Sequence, residues 1–478
     1  MKKNFDNGYD AVVVGSGPNG LACAITLQQA GLSTVLFEAK QTVGGGMRSA
    51  ELTLPGFIHD ICSAVYPFGI GSPFFSLLPL FQHGLEWIHP DALLAHPFED
   101  GRVSFLEQSI DATANTLGGD AFSYIKICKP LAANWKYIVE DILAPLHFPK
   151  YFWALLSFAV NAVRSSEGFV NKYFKHEIAK SFFSGIAAHS MLPLDASLTA
   201  AFALVLALSG HVFGWPIVKG GSQKFADALL SYYRALGGHI VLNTPIKTLD
   251  ELPKSRAIFF DVSTKCLLDI VQDRFPDCYT RKLKKFRYGP GVFKIDWALS
   301  SPIPWKAKDV FRAATVHVGG MHDEITLSEK LVSNGKHPEK PFVLLVQPSL
   351  FDKTRAPAGK ETAWAYCHVP NGSCLDMTES IERQVERFAP GFTDCILARS
   401  IKNAQDMERE NPNYVGGDIN GGASNLIQQF FRPVSCIKPY RTPLKNVYLC
   451  SASTPPGGGV HGMCGVNAAK LFLSSIIS

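Results

Sequence analysis

Three glycine-rich turns, each following a short apolar run, predict an α/β protein: a Rossmann-type dinucleotide-binding domain with an inserted α+β substrate domain. The turns are Gly15-Ser16-Gly17-Pro18-Asn19-Gly20, Gly44-Gly45-Gly46 and Gly457-Gly458-Gly459. The length of 478 residues allows two or three domains. Hydrophobic residues make up 47% and charged residues 18%, which excludes a disordered or collagen-like chain. Lys plus Arg is 46 against 41 Asp plus Glu, a net of +5, too small an excess for a dedicated nucleic-acid binder. The densest basic runs, Arg281-Lys282-Leu283-Lys284-Lys285 and Lys2-Lys3, read as solvated surface, the first also as a place for anionic lipid.

The N-terminal unit is read in order. Tyr9-Asp10-Ala11-Val12-Val13-Val14 predicts a strand that enters the first glycine turn. Leu21, Ala24, Ile25, Leu27 and Gln28 then recur at helical spacing up to Gly31, and Val35-Leu36-Phe37 predicts a second strand ending at Glu38. Gly15 permits the tight turn, Gly17 lets backbone approach a pyrophosphate, and Gly20 lets the helix pack closely on the sheet. The helix N-terminus offers N–H groups and partial positive charge to phosphate. Glu38 stands where a carboxylate accepts both hydroxyls of an adenosine ribose, with Ala39 beside it, and it would repel a 2′-phosphate.

The second and third turns favour FAD over NAD. Gly44, Gly45, Gly46, Met47 and Arg48 follow the ribose acid directly, giving a second backbone approach and a guanidinium for phosphate or flavin. Near the C-terminus, Asn446-Val447-Tyr448-Leu449-Cys450 predicts a strand that leads through Ser453 to Gly458, Gly459, Val460, His461, Gly462 and Met463, with a closing helix from Val466. Glycine N–H groups there can reach the ribityl chain and the flavin C2 carbonyl. Ile246, just past the predicted strand 239–243, completes the cofactor-contacting set.

These motifs resemble the phytoene desaturase-related branch of the flavin amine-oxidase superfamily, which includes carotenoid desaturases, carotenoid isomerases and retinol saturase. The resemblance runs through Pro55-Gly56-Phe57-Ile58-His59-Asp60, through Gly214-Trp215-Pro216-Ile217-Val218-Lys219-Gly220-Gly221, and through Thr454 to Gly462. It departs at Gly46, where arginine is frequent, at Pro455, where histidine is frequent, and at 245–256, where a hairpin is usual. It implies a cofactor domain of the glutathione reductase and amine oxidase type, FAD, and a hydrophobic, polyene or isoprenoid substrate whose carbon–carbon bonds are desaturated or saturated. Oxidation of an amine, redox-neutral isomerisation and non-catalytic flavin binding are the alternatives.

The cofactor domain is expected from 1–72, 214–285 and 435–478, a helical part of the substrate domain from 73–213, and its sheet part from 286–434. A central helix is expected to bury Phe225, Leu229, Tyr232 and Leu236 on one face. Segment 196–218 carries no charge, but Gly210, His211, Gly214 and Pro216 leave about a dozen clean apolar residues where a membrane span needs ~20, so a buried helix or pocket wall is expected. The 11 cysteines form no C-x-x-C pair and read as reduced core residues of a cytoplasmic protein, with peripheral membrane contact open to it; no metal site is expected. For chemistry, His461 in the last turn is the best-placed titratable group, and His211 and Trp215 are placed on the substrate side. His59 and Asp60 read as structural. Electrons leave to an acceptor that the residues do not name.

Overall fold

The computed structural model describes residues 8–477, so the Lys2-Lys3 run lies outside the described residues. One sheet is entirely parallel, in the order Val447–Leu449, Ser255–Phe260, Tyr9–Val14, Thr34–Phe37, His239–Val241. Its strands are valine- and phenylalanine-rich because both faces are covered. Ala11 and Val13 point into the core under helices Pro18–Gln29, Gln223–Ala235 and Met463–Ile477, while Val12 and Val14 point into a second core under Thr264–Val271.

The central helix differs by one position from the expected face. Phe225, Leu229 and Tyr233 are buried, whereas Tyr232 and Leu236 are only half-buried. Tyr233 goes inward because its hydroxyl finds partners there: Thr34 Oγ1 at 2.7 Å and the carbonyls of Thr34 and His239, each at 3.1 Å. A buried phenol needs such partners.

The second sheet has seven strands, in the order Ile396–Lys402, Gly291–Leu299, Glu361–Val369, Val343–Val346, Ala313–Val318, Ala92–Pro97, Val103–Leu106. The last two come from the segment expected to be helical. Ala92–Pro97 is a fully buried six-residue run that pairs in parallel with Ala313–Val318. Such a run lacks the alternation that marks a half-exposed strand, so its pairing decides its structure. Helices cover this sheet, among them Thr199–Phe213, which occupies most of the uncharged segment and stops at Gly214 (φ 85°). No helix among the described residues is long and apolar enough to cross a membrane. The cysteines are all free, but only Cys23, Cys128, Cys367, Cys450 and Cys464 are buried; Cys278, Cys374 and Cys436 are exposed, contrary to the all-core expectation.

A buried ion pair ties the short strand Ile58–Asp60, which pairs with Ser49–Glu51, to the turn Lys353–Arg355 that precedes strand Glu361–Val369. Arg355 donates from Nη2 to Asp60 Oδ2 at 2.7 Å and from Nε to the Ile58 carbonyl at 3.1 Å. Asp60 Oδ1 accepts from Ser222 N–H and Ser49 Oγ–H, each at 2.8 Å. Burial would raise this carboxyl, but Arg355 and the two donors outweigh it and hold Asp60 below its ordinary 3.8. The pair therefore stabilises the fold above that ordinary value and loses its contribution as pH falls through the lower folded value. Arg355→Met, which strands the carboxylate, should cost about 3–5 kcal/mol in urea unfolding near pH 7. A loss below about 1 kcal/mol would show that the pair does not hold these segments together.

Candidate active site

The C-terminal ends of three adjacent parallel strands meet at one place, and each is followed by a residue that the chain uses there: Gly15, Glu38 and Asp261. Ligands of open α/β sheets bind beyond such strand ends. Gly15 adopts φ 97°, and a Cβ on it would stand 2.6 Å from the Asp261 carbonyl oxygen. A Cβ on Gly20 would stand 2.0 Å from the Gly15 carbonyl, so the turn closes only with glycine at both positions. Gly17 caps the helix, with Pro18 in its first turn. The second turn crosses the first: a Cβ on Gly45 would lie 3.0 Å from Gly17 Cα, and Gly44 N–H donates to the Ser16 carbonyl at 2.9 Å.

Glu38 is already fixed on this turn. Its Oε2 accepts from Ser16 N–H at 3.0 Å and from the Ser16 hydroxyl, and its Oε1 accepts from Lys40 N–H at 2.8 Å. Arg48 donates from Nε to the Gly45 carbonyl at 2.8 Å and pairs with Glu410 at 3.5 Å, so it braces the second turn. At Gly46, where relatives often have arginine, the Tyr414 hydroxyl stands 2.6 Å from the place of a Cβ.

A cavity of about 1020 Å³ opens from these turns, at the upper limit of single-ligand pockets (roughly 300–1,000 Å³). At one end it is lined by Gly15, Ser16, Gly17, Pro18, Asn19, Glu38, Ala39, Gly45, Gly46, Met47, Arg48 and Ile246. Ser453, Gly458, Gly459, Val460 and His461 line the middle. The other end is apolar, walled by Leu155, Phe158, Phe202, Val205 and Trp215 from the helices and by Leu344, Val346, Trp364 and Tyr366 from the seven-stranded sheet.

Four expected cofactor residues do not line the cavity. Gly20 and Gly44 shape the turns from behind. Gly462 (φ 72°) packs where a Cβ would meet Phe75 at 2.6 Å, and Met463 begins the last helix. His461 is buried; its Nδ1 accepts from Met463 N–H at 3.0 Å, and burial lowers it to about 4 despite the Gly457 and Gly458 carbonyls. Trp215 faces the cavity and donates from its indole nitrogen to the Leu206 carbonyl at 3.2 Å. His211 does not reach it. Tyr124 Oη at 2.7 Å and the Gln108 carbonyl at 3.1 Å hold it behind helix Thr199–Phe213, and burial lowers it to about 4.

Sequence reasoning missed Asp261, His189 and Tyr366. The first had a local signal, since an acid directly after a parallel strand repeats the placement of Glu38. The carboxyl of Asp261 sits on the helix N-terminus, where Oδ2 accepts from Gly20 N–H at 2.8 Å. Burial first, then the charge of Glu38, raise it from 3.8 to about 7 against the amides of Gly20 and Gly17. A carboxyl raised on folding keeps a proton that the unfolded chain has lost, so stability falls as pH rises from about 4 to about 7. Asp261→Asn keeps an acceptor for Gly20 and cannot ionise. With nucleotide removed, its melting temperature should exceed that of the parent at about pH 8 and not at about pH 4; the same offset at both pH values would contradict the assignment.

Strand ends and a glycine cradle form a nucleotide-binding type of site with an apolar chamber adjoining it. Residues 13–78 match the NAD(P)-binding Rossmann-like domain family. The chain is 25% identical over 98% of its length to 94% of pyridine nucleotide-disulfide oxidoreductase domain-containing protein 2 of Rattus norvegicus. It is 21% identical over 98% of its length to 98% of a lycopene-forming phytoene desaturase of a Paracoccus species. Cyclohexylamine oxidase from Brevibacterium oxydans shares its fold, with TM-score 0.60 at 14% identity over 98% of this chain and all (100%) of that one. Along nearly its whole length the chain thus resembles the phytoene desaturase-related branch of the flavin amine-oxidase superfamily.

Proposed function

We propose that the protein is an FAD-dependent oxidoreductase that desaturates, or saturates, carbon–carbon bonds of a hydrophobic substrate of polyene or isoprenoid type. The observation that carries this reading is the continuity of one cavity from the glycine cradle to the apolar chamber. The residues fit the cofactor: Gly15, Gly17 and Gly45 leave backbone bare where side chains would fill the cradle, and Glu38, fixed on Ser16 at the end of the second strand, suits a ribose acceptor. When bound, FAD supplies a two-electron acceptor for hydride. The chain's own residues bind and exclude water. Gly458 to His461 close over the middle of the cavity, and Phe158, Phe202 and Val205 offer an apolar chain no charged partner.

Peripheral membrane contact belongs to the same reading. Leu146 lines the cavity, and Phe148 and Trp153 beside it in the chain are 86% and 78% exposed. Aromatic side chains of this kind enter the lipid interface, from which a hydrophobic substrate would come. A second reading, oxidation of an amine, is favoured by Asp141: it lines the cavity, and its Oδ2 is buried without a partner among the described residues, an acceptor suited to an ammonium group.

Purified protein should be yellow and release one FAD on denaturation. Glu38→Ala should weaken FAD binding at least about tenfold, since each charge-assisted ribose hydrogen bond contributes on the order of 1.5–3 kcal/mol. Under anaerobic conditions, polyenes or isoprenoid lipids should bleach the flavin. Bleaching by amines alone, abolished in Asp141→Asn, would favour the second reading, and NAD in place of FAD would defeat the first.

A further inference from the structure

The basic run 281–287 takes no part in lining the cavity. It closes helix Asp277–Lys284 and forms the turn after it. Leu283 and Phe286 are buried there, whereas Arg281, Lys282, Lys284, Lys285 and Arg287 are exposed. None of these cations forms an ion pair with an acid among the described residues. Exposed cations earlier in the same region do: Arg274 pairs with Asp250, and Lys265 pairs with Glu408 at 2.7 Å. The acids within the helix region, Asp273 and Asp277, stand at its other end. The run therefore turns an uncompensated positive charge to its surroundings.

Beside this run the chain exposes large apolar side chains. Helix Leu426–Phe430 and the segment after it present Leu426, Ile427, Phe430, Phe431 and Ile437, with Ile427 74% and Ile437 96% exposed. The two elements are joined to each other. Arg287 N–H donates to Gln428 Oε1 at 3.0 Å, and the Arg287 carbonyl accepts from Gln428 Nε2 at 2.7 Å. Leu283 from the helix and Val434 from the segment share one core beneath them. Lys438 adds an exposed cation directly after Ile437. Clustered apolar side chains flanked by charge mark a contact surface rather than a solvated one.

The apolar segment also borders the cavity. Gln429 and Phe430 line it, and Gln429 Nε2 donates to the carbonyl of Pro456, another lining residue, at 3.0 Å. Arg432 fastens the segment to the cavity wall by donating from Nη1 to the Ala452 carbonyl at 3.0 Å. Nucleic acid would satisfy the cations and leave Ile427 and Ile437 in water. A lipid interface takes both, phosphate headgroups meeting the cations and the acyl boundary taking the apolar tips. We infer that this face docks on an anionic lipid surface, with Ile427, Phe430 and Ile437 in the interface and the 281–287 cations on the headgroups. The inference rests on the hydrophobic substrate of the proposed function. It adds a lipid charge and a second contact to the one at Phe148 and Trp153. Phe430 is a lining residue that meets lipid here, as Leu146 is at the first contact.

Co-sedimentation of the full-length holoprotein with vesicles tests this. Vesicles of phosphatidylcholine alone are compared with vesicles in which about a third of the lipid is phosphatidylserine. Partitioning onto the anionic vesicles should be at least about tenfold stronger at low salt, and the preference should fade at about 0.5 M salt. Lys282→Glu, Lys284→Glu and Lys285→Glu together should abolish the preference, with FAD content and melting temperature unchanged because all three side chains are exposed. Ile427→Ser with Ile437→Ser should weaken binding to both kinds of vesicle severalfold. Equal binding to both vesicles, or parent-like preference in the charge-reversed protein, would overturn the proposal. So would a dimer in sedimentation analysis that the two serine substitutions dissolve, since a second copy would then cover the face. Capture of nucleic acid or of an acidic peptide without vesicle binding would overturn it as well. No arm uses turnover, so a protein that docks but is inert to every polyene counts against the desaturase reading alone.

Discussion

Everything in the site depends on how closely the last helix crosses the first. A Cβ on Gly465 would stand 1.9 Å from the Asn19 carbonyl oxygen, and one on Gly462 would stand 2.8 Å from Ala22 Cβ. The two helices approach backbone to backbone because glycine and alanine line their contact, and no larger residue could take these places without parting them. That approach places Gly458 to His461, some four hundred and forty residues along the chain, directly across the cavity from Gly15 to Asn19. The parallel sheet then needs no continuous chain segment. It needs only strands whose C-terminal ends share one edge.

Electrostatics at that edge follow from the same crowding. Glu38 and Asp261 both accept hydrogen bonds from the turn that opens helix Pro18–Gln29. One carboxylate satisfies orphan N–H groups at a helix start, which is favourable. Burial first, and then the charge of Glu38 beside it, push Asp261 up to about 7. A dinucleotide phosphate brought to the same amides meets a partly neutralised Asp261 at neutral pH, which lowers the repulsion that a fixed negative charge would impose.

The parts legible in the sequence are those that local rules decide. Strand, glycine turn, helix, strand and Glu38 fit within thirty residues, and the structure has Tyr9–Val14, Pro18–Gln29 and Thr34–Phe37 in that order. The uncharged segment around 199–213 is a buried helix because glycine and proline interrupt it too early for anything longer. What was not legible depends on contacts between distant segments. Nothing near His211 in the chain foretells Tyr124, whose hydroxyl turns that histidine away from the cavity. His189 reaches His317 only because the turn after helix Glu177–Ala187 meets strand Ala313–Val318, and no spacing in the chain encodes that meeting. Tyr233 in place of Tyr232 is the same lesson at one-residue scale: the hydrophobic period sets the face of the helix, and the phenol's partners settle which ring turns inward.

The central claim is that cofactor and hydrophobic substrate share one continuous chamber between the two sheets. The most direct measurement is a crystal structure of the protein with its native nucleotide, soaked with a long-chain isoprenoid alcohol. The account predicts the nucleotide on Gly15 to Asn19, with its ring end at Gly459 to His461. The apolar chain should run from that ring between Val205 and Trp364 and carry no ordered water. An isoprenoid bound elsewhere, or a wall of ordered side chains separating it from the ring, would contradict it.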